Sequence, residues 1–361
     1  MTSKTDLAAR RKALSVATAK LKKRYGEDII LDTTKPTNYE IVSTGSLLIN
    51  QATGIGGLPM GRLVEVYGPE ACGKSSFCYS VCAEAQRQYP EKLVLYVDIE
   101  QAAHLSYMEQ FGVDLDPDKF IFVQPNSIEE ALTIIDSYTE TGLISVVVLD
   151  SVGASMTEDQ IEKGYDENTM GSLAKKMSVG LNKLKNLANE TSTLMIFVNQ
   201  VYAKMSYMGG EETKGGRALK YTASLRIKFS KRDLLTGEGD KEKIIGQGLS
   251  YKFVKNKVGQ PYTSGETILY FGKGFDKYSE VVEIAIGFGI INRGGAWYTF
   301  TSSTGEEIKL QGKDKVIDLC RNMESEFNYL QKKVVDILTS NQQLLTQDEI
   351  EEIKKEEAEE E

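Results

Sequence analysis

Gly68-Pro69-Glu70-Ala71-Cys72-Gly73-Lys74-Ser75 sets two glycines around a short loop and follows the second at once with a lysine and a serine. Such a loop can turn successive backbone N–H groups toward phosphate oxygens where a helix begins and partial positive charge collects. Gly68 and Gly73 allow the backbone angles and the close approach this needs. Lys74 would then lie against the β- and γ-phosphates, and Ser75 would offer a hydroxyl to Mg2+. The flanks agree. Leu63 to Tyr67 reads as a strand, and Ser76 to Gln88 is a Pro-free run with Phe77, Val81 and Ala85 at helical spacing. The plain alternative is a Gly-rich turn between strand and helix. The fixed positions and both flanks together favour a nucleoside triphosphate site over Gly68 to Ser76.

Three further groups end apolar runs. Leu93 to Glu100 closes on two acids, Ile144 to Ser151 carries Asp150 near its end, and Thr193 to Gln200 ends in an amide. Asp150 suits the acid that holds Mg2+ directly or through water. Glu100 suits a carboxylate that orients and deprotonates an attacking water, and Gln200 a group that senses the γ-phosphate. A strand-end carboxylate is also commonly a helix cap or turn former. A phosphate loop in the same sheet shifts the balance toward chemistry, most for Asp150.

Two polar, Gly-bearing connections leave this set of strand ends: Glu158 to Gly171 and Val201 to Gly216. The second mixes Tyr202, Lys204, Met205, Tyr207 and Lys214 with Gly215 and Gly216, and Arg217 follows. Aromatic, Met and basic residues on glycine hinges suit a nucleic-acid contact by stacking and phosphate pairing. A plain surface loop is the competing reading.

These groups need a parallel α/β sheet to bring them together. Apolar runs buried on both faces alternate with helical stretches, including Ile128 to Thr139 and Gly171 to Ala188, and parallel strands collect their binding groups at their C-terminal ends. Before the sheet, Asp6 to Tyr25 reads as a basic amphipathic helix with Leu7, Leu14, Ala17 and Leu21 inward, followed by Ile29 to Leu31 as a short strand. After it, Leu249 to Lys257 is an alternating strand ending in lysines, and a smaller unit follows in which Trp297 is most simply a core residue. The expected divisions are an oligomerisation arm over 1–37, an ATPase core with its loops over 38–275, a small α/β domain over 276–340 and an acidic tail over 341–361.

The 361 residues are 41% hydrophobic and 26% charged, as in ordinary soluble domains. No apolar run is long enough to span a bilayer, and the polar N-terminus does not read as a secretory leader, so the expected place is the cytoplasm, with no membrane partner. Cys72, Cys78, Cys82 and Cys320 fit free thiols rather than a disulfide framework. The net charge of −9 sits mostly in the tail, where Asp348 to Glu361 hold nine acids against two lysines. The other 347 residues are left near −2, which permits local basic surfaces.

Several segments closely resemble bacterial and phage RecA-type recombinases. They are Ser43 to Leu47, Gly56 to Arg62, the phosphate loop with Pro69-Glu70, Asp150-Ser151, Asn199-Gln200, Val254 to Lys257 and Gly295-Ala296-Trp297-Tyr298, and they run in the family's order over about 10–340. The resemblance implies a RecA-type core and an ATP- and Mg2+-dependent recombinase of the SOS and DNA-damage response. Such a protein forms head-to-tail helical filaments on single-stranded DNA and exchanges strands with double-stranded DNA, aided by single-strand-binding and mediator proteins. It implies Glu100 as the catalytic carboxylate, Gln200 as the γ-phosphate switch, and Tyr107 with Tyr270 at the nucleotide. It lines the DNA channel with Met170, Gly171, Lys175, Lys176 and Ser178 and with the Val201 to Gly216 loop, and it sends Lys255 and Lys257 to ATP on the adjacent subunit.

The departures are specific. His104 occupies the place of an adenine-contacting acid, Asn182 that of a basic DNA contact, and Arg217 adds a charge to the second loop. A ring helicase or clock-type ATPase would share the phosphate loop but not the Gly-Ala-Trp-Tyr segment and its helices. A small-molecule kinase would need an arginine-rich lid, and a GTPase an acid beside Asn256-Lys257 to read guanine. An ATP-binding DNA scaffold without turnover sits less well with a carboxylate at Glu100.

Overall fold

The computed structural model describes residues 4–26, 29–30, 39–162, 171–203, 211–237 and 240–338. Met170, Lys204, Met205, Tyr207, Leu31 and the acidic tail lie outside them. The chain divides into two compact units, 1–38 and 39–361.

In the first unit, α1 (Lys4–Tyr25) ends in Lys22, Lys23 and Arg24. Its Leu7, Leu14 and Leu21 are exposed, not turned inward. Among the described residues of this unit no second layer receives an apolar stripe. Ile29 and Ile30 are likewise exposed and form a turn rather than the expected strand.

The second unit opens with β1 (Ile41–Val42) and β2 (Leu58–Pro59), an antiparallel pair around α2 (Leu47–Ala52), which Ser46 caps. Next come β3 (Leu63–Gly68), buried throughout, and α3 (Lys74–Gln88). β4 (Leu93–Asp98), α4 (Leu105–Gln110), β5 (Phe120–Val123), α5 (Ile128–Thr139) and β6 (Ile144–Asp150) follow. A 3-10 turn over Val152–Ala154 leads to α6 (Glu158–Glu162), α7 (Ser172–Thr191), β7 (Leu194–Ala203), β8 (Glu211–Thr213) and α8 (Ala218–Thr222). The long hairpin β9 (Leu225–Gly237) and β10 (Asp240–Asn256) is extended by β11 (Ser264–Tyr270) and β12 (Gly274–Phe275). The chain ends with α9 (Lys277–Gly287), a small sheet of β13 (Asn292–Gly294), β14 (Trp297–Thr301) and β15 (Glu307–Gln311), α10 (Lys313–Asn322) and a helix over 324–338.

The main sheet runs β12-β11-β10-β9-β3-β7-β6-β4-β5. Strands β9, β3, β7, β6, β4 and β5 are mutually parallel, and β10 to β12 add an antiparallel flank. This is the mostly parallel α/β core expected. Alternation in β4 shows why both faces are apolar: Val94 and Tyr96 join α3 residues such as Phe77 in one core, while Leu95 and Val97 pack with Ile135 of α5 and Leu181 of α7 in another. The register of α5 is set locally. Ser127 Oγ accepts from the Glu130 N–H at 3.1 Å, and Glu129 and Glu130 sit in the positive first turn, a cap worth ~1 kcal/mol.

Within the second unit a third buried cluster gathers Val281, Ile291, Tyr298, Phe300, Val316 and Leu330, with Leu47 and Leu48 packed against it. Trp297 is not part of it. Its ring is 44% exposed, with Lys309 Nζ 5.3 Å from its centroid. Alternation along β14 turns Tyr298 and Phe300 inward and so turns Trp297 out.

Candidate functional site

β3 ends at Gly68 between β7 and β9, so the loop that follows emerges at the middle of the sheet. Gly68 has no room for a side chain, because a Cβ would strike the Phe229 carbonyl oxygen. Ala71 and Gly73 take left-handed angles, φ 54 and φ 86, and a Cβ on Gly73 would lie 2.9 Å from Leu269 Cδ2. Lys74 is buried and folds back over the loop, donating from Nζ to the Pro69 carbonyl at 2.6 Å and the Gly68 carbonyl at 3.2 Å. Cys72 lies beside it, 3.8 Å from Sγ to Nζ, and burial pushes its thiol up despite the lysine. All four cysteines are free and buried.

The strand ends supply the rest. Asp98 and Asp150 are register partners on β4 and β6, yet they do different work. Asp150 Oδ2 accepts from Ser75 Oγ at 2.6 Å and from the Tyr96 hydroxyl at 2.8 Å. Burial raises its carboxyl above the usual range, against those two donors and with Glu100 and Asp98 adding to the rise. Asp98 instead binds the loop it precedes, accepting from the Ala103 N–H at 3.1 Å and Gln124 Nε2 at 3.0 Å. The Asp150 carbonyl takes the N–H groups of Ile99 and Glu100, and the Glu100 carboxylate accepts from Ser151 Oγ at 3.2 Å. The Asp150–Ser151 peptide is cis.

A cavity of about 330 Å³ gathers Glu70, Ala71, Cys72, Gly73, Lys74, Ser75 and Ser76 with Glu100, Asp150 and Gln200. Gly68 and Pro69 stand behind it as carbonyl partners of Lys74. The donor set fits Mg2+, a hard cation that takes oxygen ligands: a serine hydroxyl touches a carboxylate whose burial leaves its charge in need of a counter-ion. Gln200 packs over Gly153, where a Cβ would be 3.3 Å from both Cβ and Cγ of the glutamine.

Sequence reasoning passed over five residues that line the same cavity: Ser151, Val198, Lys231, Gln247 and Phe271. The last three come from the hairpin and its neighbouring strand, where the sequence is polar and without a motif. Tyr96 was also passed over. A tyrosine inside an apolar strand needs a partner for its hydroxyl, and that signal points to an acid on the next strand.

Other expected residues are not in this cavity. Tyr270 lines a second one, of about 580 Å³, with its hydroxyl 3.2 Å from Arg321 Nη2, and Phe271 borders both. Tyr107 packs edge-on against Tyr79 and Phe111. His104 is exposed, with Nδ1 2.8 Å from Ser106 Oγ. Lys255, near the end of β10, and Lys257, just past it, lie at the opposite edge of the sheet. Lys255 is level with Arg226 and Glu65, three residues before Gly68, which is about 10 Å along the strand and two strands across. Its Nζ donates to the carbonyls of Lys220 and Tyr221 at 2.9 and 2.8 Å. Burial first, then the charges of Lys257 and Arg226, bring it down to about 8.

Five of the expected DNA-facing residues come together. Gly171, Tyr202, Lys214, Gly215 and Gly216 line an open depression of about 320 Å³ with Leu173 and Ala174. Lys175, Ser178, Asn182 and Arg217 are exposed nearby in sequence. Lys176 is tied to Glu129 of α5 at 3.0 Å, and Lys214 donates to the Gly153 carbonyl at 2.9 Å. Neither ammonium is directed wholly to solvent.

A family model described as the RecA N-terminal domain matches residues 12–276. The chain is also similar to Protein RecA of Ruminococcus albus, 36% identical over 315 residues that cover 86% of this chain and 76% of that protein. The chain belongs to the RecA family, and its function is homologous recombination in DNA repair.

Proposed function

We propose that this member of the RecA family hydrolyses ATP in response to single-stranded DNA, as a head-to-tail filament whose nucleotide sites are shared between neighbours. The observation that carries the reading is the polarity of the sheet. Lys74, Ser75, Glu100, Asp150 and Gln200 meet at one edge, while Lys255 and Lys257 lie at the other, out of reach of their own phosphate loop. A heterologous interface that does not close would bring one edge against the other and repeat without limit.

The loop N–H groups and Lys74 bind the phosphates, and Gly68 through Ser76 follow the triphosphate. Ser75 and Asp150 hold Mg2+, which supplies positive charge to the phosphate oxygens when bound. Glu100 orients a water and takes its proton, with Ser151 fixing the carboxylate. Gln200 responds to the terminal phosphate and passes that response into Val201 and the loop beyond. Lys255 and Lys257 of the neighbour stabilise charge on the transferring group, so turnover requires assembly. Tyr107 and Tyr270 serve the base. Gly171, Lys175, Ser178, Tyr202 and Arg217 face DNA, together with Met170, Lys204, Met205 and Tyr207 and with the glycine turn at 215–216. The domain divisions 1–37, 38–275, 276–340 and 341–361 follow as arm, core, accessory domain and tail.

The test is ATP hydrolysis with and without single-stranded DNA, across protein concentration, for the wild type and Lys255→Ala. Hydrolysis should rise with DNA and steeply with concentration, and the variant should lose that response. Turnover indifferent to both DNA and concentration would leave a self-contained ATPase.

A further inference from the structure

Gln200 joins the phosphate cavity to the second DNA-facing loop along the chain, but the residues that return from that loop form a separate, lateral connection. The Lys214 side chain turns back toward the 152–154 turn, and its Nζ donates to the Gly153 carbonyl at 2.9 Å. Its own carbonyl accepts from Asn199 Nδ2 at 3.0 Å. Asn199 Nδ2 also donates to Glu65 Oε1 at 3.1 Å, and Glu65 pairs with Arg226, all three residues being buried. The strap is thus held at its backbone by an interior charged cluster and at its side chain by the turn beside Asp150.

The next two residues extend it. Gly215, at φ 80, passes so near the turn that a Cβ would lie 2.8 Å from Val152 Cγ1. Gly216, at φ 75, passes the first turn of α7 with room for no more than hydrogen, since a Cβ would lie 2.8 Å from that of Ala174. Both angles belong to glycine, so the strap's course is encoded in the chain. Residues 214–216 therefore touch the Asp150-side turn and the start of the helix that follows the first DNA-facing loop, while they close the second.

We propose that Lys214 is a positioning residue, a latch that fastens the 214–216 strap to the Gly153 carbonyl so that movement of the Asp150–Gly153 segment on nucleotide binding reaches both DNA-facing loops. The inference rests on the ATP- and DNA-dependent reading above. It assigns Lys214 a different task from phosphate pairing, because the ammonium of this exposed side chain is already engaged by a carbonyl. Coupling between two sites needs a physical element that both contact, and the strap contacts the 152–154 turn and the start of α7.

The experiment compares the affinity of a labelled single-stranded oligonucleotide in ADP and in a non-hydrolysable ATP analogue, at several salt concentrations, for the wild type, Lys214→Met and Lys214→Arg. The methionine keeps the stem and loses the donor, and the arginine can still reach the carbonyl. In the wild type the analogue should tighten DNA binding relative to ADP. Lys214→Met should shrink that ratio about tenfold, within the usual range of coupling between sites, with the salt slope unchanged, and Lys214→Arg should restore it. Equal weakening in both nucleotides with a salt slope lowered by about one would make Lys214 an ordinary phosphate contact and overturn the latch. An unaltered ratio in Lys214→Met would overturn it as well. A wild-type ratio near one would instead overturn the nucleotide-to-DNA reading, so the two failures appear in different proteins of one titration.

Discussion

The two edges of the central sheet differ in what their own protomer provides. At the C-terminal ends of β3, β4, β6 and β7, a lysine, a serine, two carboxylates and an amide share one cavity. At the other edge the end of β10 delivers Lys255 and, just past it, Lys257, and Lys255 donates to the Lys220 and Tyr221 carbonyls of α8. Strand polarity produces the contrast. Parallel strands carry their C-terminal groups to a common edge, whereas β10 runs antiparallel to β9 and carries its last residues away from it. The two lysines thus stand apart from the phosphate loop of their own chain, which is the contrast that the proposed shared site rests on.

The largest expected effect breaks each edge separately and then mixes them. Lys74→Ala and Lys255→Ala should each lower DNA-stimulated hydrolysis about a hundredfold to a thousandfold, as loss of one charge-stabilising donor does. An equimolar mixture should recover about a quarter of the wild-type rate, the share of head-to-tail contacts in a random order that join two intact halves. No recovery would place both lysines in one protomer's site and end the contrast.

A moderate effect separates the edges by pH. Lys255 titrates at about 8 rather than its ordinary 10.5, so its charge is lost as pH rises through about 8. At low protein concentration, where assembly limits the rate, hydrolysis should fall several-fold between about pH 7 and 9. Lys255→Arg, always charged, should remove that fall. Folding stability should move the other way. The unfolded chain keeps this proton up to 10.5, so this group adds stability as pH climbs from about 8 toward that value. Denaturant midpoints across the same range check the sign.

The smallest effect is a control remote from both edges. Glu280 of α9 is buried and accepts from Ser46 Oγ at 2.6 Å, the Leu47 N–H at 2.7 Å and Thr267 Oγ1. Burial raises its carboxyl to about 7 from 4.5 despite those donors. The folded state therefore holds a proton that the unfolded chain has released, and stability from this group declines as pH rises from about 4.5 to 7. Glu280→Gln should flatten that decline in denaturant midpoints and leave the mixing result unchanged.

What could be read from the chain was what local chemistry determines. The phosphate loop needs its glycines, lysine and serine in fixed order, and α5 runs from Ile128 to Thr139 as its apolar spacing and Ser127 cap require. Asp150, Glu100 and Gln200 were legible because apolar runs buried on both faces end at them. The rest depended on distant partners. Gln247 and Lys231 reach the cavity from a hairpin whose polar sequence has no motif. Trp297 is exposed because its strand has only one covered face, which the residue type does not reveal. The leucines of α1 satisfy a helical period with no second layer among the described residues of their own unit. Lys214 carried the charge expected of a DNA contact, and only the fold shows the Gly153 carbonyl in its way.

The placement of β3 between β7 and β9 has a consequence for how the protein is made. Glu65 reaches Asn199 across 134 residues of chain and Arg226 across 161. Contacts so distant in sequence form late in folding, after much loop entropy has been lost. During synthesis the phosphate loop leaves the ribosome long before either neighbour of its strand exists, so a partial chain carries the whole motif and no cradle. A ligand that needs the finished loop can stabilise only a chain extended past β9, so if ATP is that ligand it acts on the nearly finished sheet rather than guiding its assembly.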